Sequence, residues 1–147
     1  HTPGHFAGHL AFQYQDAVLC GDVAMGWSST LISPPDGDLA DYFRTLTRLD
    51  SLKARVLLPA HGDAIEAPAA RLAELAAHRR MRTAQILGAL RDGPASARAL
   101  ALRLYEVDAR LIPAATRNVL AHLIALAELG AIRSDEPVSD TAIFRLD

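Results

Sequence analysis

The chain changes character near Pro68, and that break constrains the fold more than any other feature. Before it lie short apolar runs separated by glycine, proline and serine; after it, apolar residues recur at helical spacing over long stretches. The charge changes at the same place. Residues 1–67 carry four basic and eight acidic side chains, a net −4, and residues 68–147 carry eleven and nine, a net +2. Four of the six histidines fall in the first part. Two domains, 1–67 and 68–147, are the expectation.

In the first part, Pro3, Gly4 and Gly8 break any helix through His1, His5 and His9, so those histidines do not share a helix face. The segment reads as a loop entering a strand, Leu10–Tyr14. Gln15-Asp16 turns into a second strand, Ala17–Cys20, which ends at Gly21-Asp22. A loop over 23–37 follows, and Asp38 caps a helix with Leu39, Tyr42, Phe43, Leu46 and Leu49 at helical spacing. A third strand, Arg55–Leu58, runs into Pro59-Ala60-His61-Gly62. In the second part the spacing predicts a long helix, Ala69–Arg91, then a short one capped by Ser96 and a third that starts near Pro113 and stops at Gly130. Ala131–Arg133 and Ile143–Leu146 read as two strands around a polar turn. Three helices and a two-stranded ribbon, in that order, describe a winged helix-turn-helix.

Composition excludes several classes. With 147 residues, half of them apolar and 22% charged, the chain can bury a core and is not disordered. No apolar run reaches the roughly 20 residues of a membrane span, so no membrane partner is expected, and no secretory signal pattern opens the chain. A net charge of −2 gives no general attraction to nucleic acid. The single cysteine, Cys20, cannot form an internal disulfide, and a reducing, cytoplasmic compartment suits it. The chain opens on His1 without a methionine, so the expectation is that residues precede it.

Three places carry groups capable of chemistry. Asp22 stands at a strand end beside a glycine, where a carboxylate serves as a metal ligand or acid/base, or simply caps the next turn. His61 stands at another strand end between Ala60 and Gly62, as an inward-turning ligand or a surface histidine. His1, His5 and His9 put three imidazoles into nine residues, a density that favours metal.

His1-Thr2-Pro3-Gly4-His5 with Gly8-His9, then Gly21-Asp22, then Pro59-Ala60-His61-Gly62, resemble in order and interval the second half of a metallo-β-lactamase-fold hydrolase. Met25-Gly26-Trp27-Ser28-Ser29-Thr30, the Pro34–Asp38 loop and the helical remainder resemble the lactamase-beta-2-like branch with its C-terminal winged helix. The resemblance implies an α/β fold, the second half of an αββα sandwich, followed by a mainly α winged-helix domain with a long connecting helix. It implies His5, Asp22 and His61 as metal ligands, with Asp22 bridging two zinc or other divalent ions and orienting a hydroxide that attacks an ester, thioester, lactam or phosphodiester. His1 and His9 then support the ligands or the loop. Trp27, Ser28 and Ser29 fall where a substrate cleft would be lined.

The His-x-His-x-Asp-His motif that opens this fold's ligand set is not in the chain. The expectation is therefore a C-terminal piece of a longer metal-dependent hydrolase, inactive alone and binding zinc weakly or not at all, whose partner is the missing N-terminal half. An uncovered sheet face would also invite a homodimer. A small molecule or RNA is the expected substrate. Two other functions compete: a non-catalytic winged-helix binding or dimerisation module, and an endoribonuclease using Arg79, Arg80 and Arg82 of the run His78–Arg82. Sequence-specific DNA binding is disfavoured. The third helix of the winged-helix part presents Arg117, Asn118 and His122 with one clear cation, and the turn Ser134–Pro137 is acidic. Cys20 reads as a small buried apolar residue and His122 as structural.

Overall fold

The computed structural model describes residues 1–147. The chain divides into two compact units, His1–Arg79 and Arg80–Asp147.

In the first unit, β1 (Phe12–Tyr14), β2 (Ala17–Gly21) and β3 (Val56–Pro59) form a sheet in the order β1-β2-β3. β1 and β2 are antiparallel across the tight turn, where Gln15 takes a φ of 53°. β2 and β3 are parallel, which requires the long crossover that α1 (Leu39–Ser51) provides. Alternation along the strands sorts the faces. Val18, Cys20 and Leu57 are completely buried, whereas the cross-strand row Phe12–Leu19–Leu58 is exposed by 62, 47 and 38%. Asp38 caps α1 by accepting from the Asp41 amide at 2.6 Å. The helix buries Leu39, Tyr42, Thr45, Leu46 and Leu49. Part of that face is covered by the N-terminal segment: Thr45 Oγ1 donates to the Pro3 carbonyl at 2.6 Å, and the Asp38 amide donates to that of Gly4 at 3.0 Å.

α2 (Pro68–Arg91) begins where the composition changes, but the units part within it, between Arg79 and Arg80. Its buried stripe explains why. Leu72, Leu75 and Arg79 serve the first unit, Ile86 and Leu90 the second, and all five recur at helical spacing as one continuous row. Nothing in that row marks a division.

The second unit holds the rest of α2, then β4 (Ala95–Ser96), α3 (Ala97–Leu104), a 3-10 turn (Ala109–Leu111), α4 (Ile112–Glu128), β5 (Ile132–Arg133) and β6 (Ile143–Leu146). Ser96 caps α3 by accepting from the Ala99 amide at 3.2 Å. Gly130, at φ 69°, ends α4. The sheet order is β4-β6-β5, with β6 antiparallel to both neighbours. The sequence reading finds the β5–β6 ribbon and misses β4, whose second residue, Ser96, is read as the cap of α3. Ile86, Leu90, Leu100, Val119, Leu123 and Phe144 form the core, each worth about 1.5–3 kcal/mol when withdrawn from water.

Candidate metal centre

Gly21 ends β2 in the left-handed region, at φ 57°, with the His9 ring so close that a Cβ would lie 2.6 Å from Nε2. This conformation stops the strand's alternation, so Asp22 is not placed by strand parity with buried Cys20. The Ala60 amide donates to the Gly21 carbonyl at 3.0 Å and ties the two strand ends together. Beyond it the chain folds back, and Ile65 pairs with Leu57. Asp22 and His61 thereby meet across adjacent strand tips, with Asp22 Oδ1 3.6 Å from His61 Nε2. That carboxylate oxygen is buried and has no hydrogen-bond partner. Leaving it so costs about 1–3 kcal/mol or more, a deficit that a bound cation removes.

His5 lies on the loop above. Its Nδ1 is 2.6 Å from the Leu31 carbonyl oxygen, and a carbonyl only accepts, so Nδ1 carries a proton and, in the neutral ring, Nε2 presents a lone pair. Histidine ligands are held to metals by this kind of outer hydrogen bond. His9 is 4% exposed, with Nδ1 2.9 Å from Thr2 Oγ1. Burial and then the neighbouring His5 hold it below the ordinary histidine range, against the opposing pull of Asp22. His1 is exposed and donates from Nε2 to the Ala7 carbonyl at 2.6 Å, closing the loop.

The donors are chemically right for a divalent ion, but no three His, Cys, Asp or Glu side chains converge on one point. Asp22 and His61 converge; His5 does not join them in a common group. The chain thus fits one edge of a metal site and does not complete a four-coordinate one.

Trp27 is exposed and lies against the His61 turn, its Cδ1 2.8 Å from where a Gly62 Cβ would be. It borders a groove of about 520 Å³ with Gly26, Asp63, Ile65, Arg71 and Glu74. Ser28 and Ser29 line a second groove of about 300 Å³ with Trp27, Arg71 and His78. Sequence reasoning missed Arg71, which donates to the Met25 and Ser28 carbonyls at 2.7 and 2.8 Å and holds this loop. Its only signal was a basic residue in the first turns of a helix.

The arginines of the 78–82 run do not form one surface. Arg79 is 1% exposed, and Arg82 donates to the Leu104 carbonyl at 2.9 Å while stacking on Tyr105 at 4.0 Å, leaving Arg80 as the exposed member. The three cannot act together on RNA. His122 is completely buried, its Nδ1 2.9 Å from Thr83 Oγ1, and Arg117 and Asn118 are half-buried. Cys20 is buried, donates to the Ala24 carbonyl, and has its thiol pushed up to about 11 by burial. No helix is long and apolar enough to cross a membrane.

Residues 96–139 match the family described as the beta-lactamase associated winged helix domain. A beta-lactamase-like protein 2 homolog from Drosophila melanogaster is 30% identical over 90% of this chain and 46% of its own length. An atrochrysone carboxyl ACP thioesterase from Aspergillus fumigatus is 31% identical over 62% of this chain and 28% of its own. The crystal structure of a metallo-beta-lactamase family protein from Thermus thermophilus superposes with a TM-score of 0.87 at 32% identity, over 99% of this chain and 48% of that one. The chain therefore spans at most about half the length of these relatives. It has the C-terminal region of the metallo-β-lactamase fold with the winged helix associated with it.

Proposed function

We propose that the chain is the C-terminal part of a metal-dependent hydrolase, and that Asp22, His61 and His5 supply its share of a binuclear zinc site, with Asp22 bridging. The observation that carries this is the Asp22–His61 pair, with a buried carboxylate oxygen that no protein donor satisfies. When bound, such ions supply an activated water and stabilise negative charge on the substrate. The chain's own residues hold and orient. Asp22 offers two oxygens from a fixed strand tip, His61 an imidazole from the next strand, and His5 a lone pair on Nε2 fixed by its Nδ1–H bond.

The remaining ligands come from the other half of the fold, which packs on the exposed row Phe12–Leu19–Leu58. Substrates are esters, thioesters, lactams or phosphodiesters, and the thioesterase name of the Aspergillus relative makes a thioester the first to try. The test is metal content and hydrolysis in the cellular protein that contains this segment. About two ions per chain, with activity lost in Asp22→Asn, bear the reading out. A protein purified without metal, and inactive after zinc is supplied, sinks it and leaves a non-catalytic winged-helix module. Specific DNA recognition by that module does not fit α4, where Thr116 and His122 are buried, Arg117 and Asn118 half-buried, and the exposed Glu128 is acidic.

A further inference from the structure

Arg79 belongs to the buried stripe of α2 that otherwise contains Leu72, Leu75, Ile86 and Leu90, and at 1% exposure it is among the largest fully buried side chains. A guanidinium withdrawn from water is costly unless its donors are used, and a leucine would continue the stripe without that cost. Two of the contacts of Arg79 lead toward the His5 loop and the helix beneath it. Nη2 donates to the Thr30 carbonyl, and the guanidinium lies over the Tyr42 ring, 5.5 Å from its centroid. Thr30 is itself 1% exposed, and its hydroxyl is 3.2 Å from His5 Nδ1. The next carbonyl, that of Leu31, accepts from the same nitrogen at 2.6 Å. The far side of the His5 loop is fixed independently, through Gly4 and Pro3 to Asp38 and Thr45. The orientation of the ring therefore depends on where the 30–31 peptide stands.

We infer that Arg79 is a positioning residue: by holding the Thr30 carbonyl it keeps the Leu31 carbonyl against His5 Nδ1, and so keeps Nε2 as the unprotonated nitrogen. Its link to metal rests on the reading of His5 as a ligand given above; its effect on the ring does not.

The test is side-chain ¹⁵N NMR of the full chain at about pH 8, above the ordinary histidine pKa of about 6.5. Wild type is expected to show His5 as the single Nδ1–H tautomer. Arg79→Met, folded by its amide dispersion, loses that single state and shows a tautomer mixture, while Arg79→Lys shows a smaller shift. Leu49→Ala, a cavity in the same unit away from the 30–31 loop, keeps the tautomer. An Nε2–H tautomer in wild type, an unchanged Nδ1–H state in folded Arg79→Met, or an equal loss in Leu49→Ala overturns the inference. Should the Met variant not fold, the Lys variant decides: a mixture supports it and an unchanged state overturns it. The ligand reading is tested separately, by metal content in the cellular protein that contains this segment: metal lost in His5→Ala supports that reading, and unchanged metal content withdraws it while the tautomer result, and with it Arg79's role, stands.

Discussion

Gly21 and Tyr42 show how much of the first unit rests on single residues. A side chain at Gly21 faces both a left-handed backbone and the His9 ring. Gly21→Ala is expected to cost about 2–3 kcal/mol, read as a lower urea midpoint with unchanged slope. Tyr42 is fully buried, and burial pushes its phenol up to about 12, with Arg79 pulling the other way. The unfolded chain loses that proton near the ordinary value of 10, so between pH 10 and about 12 the unfolded state binds fewer protons. Tyr42's contribution is therefore complete below pH 10 and falls above it, by about 1.4 kcal/mol per pH unit. Denaturation series from pH 9 to 12 on wild type and Tyr42→Phe should diverge over that window. Parallel curves would show that the phenol does not sense its burial.

At the level of elements, helix boundaries were the most legible features, because caps and breakers act locally. Asp38 and Ser96 cap α1 and α3, and Gly130 ends α4, each from its own side chain or its own permitted φ. The strands other than β4 were read within two residues at each end, since alternation weakens where pairing stops. Gly88, inside α2, has open space where a Cβ would stand. Gly88→Ala should therefore raise stability by about 0.5–1 kcal/mol, through helix propensity alone. A thermal melt checks it, and a loss of stability would mean that the helix is packed more tightly there.

For the molecule as a whole, the sheet of the first unit has one buried face and one apolar, exposed row, Phe12–Leu19–Leu58. Exposed apolar rows on short strands drive association. The chain by itself is expected to self-associate with concentration in sedimentation velocity, and Leu19→Lys to shift it toward monomer. A wild-type chain that stays monomeric at NMR concentrations would remove the homodimer from the partners of this face.

The sequence by itself determined the order of elements, their caps and the three motifs that carry the candidate ligands, because each depends on spacing and on residues acting on their own backbone. Only the tertiary structure decided which of those residues meet. Asp22 and His61 are brought together by a parallel strand pair across a helix, and His5 is oriented by the Leu31 carbonyl and the Thr30 hydroxyl, 26 and 25 residues away. The structure also turned a run of surface-looking arginines into one buried clamp, one stacked side chain and one exposed cation. Charge is visible in a sequence, but burial depends on what packs against it, and that is decided by distant parts of the chain.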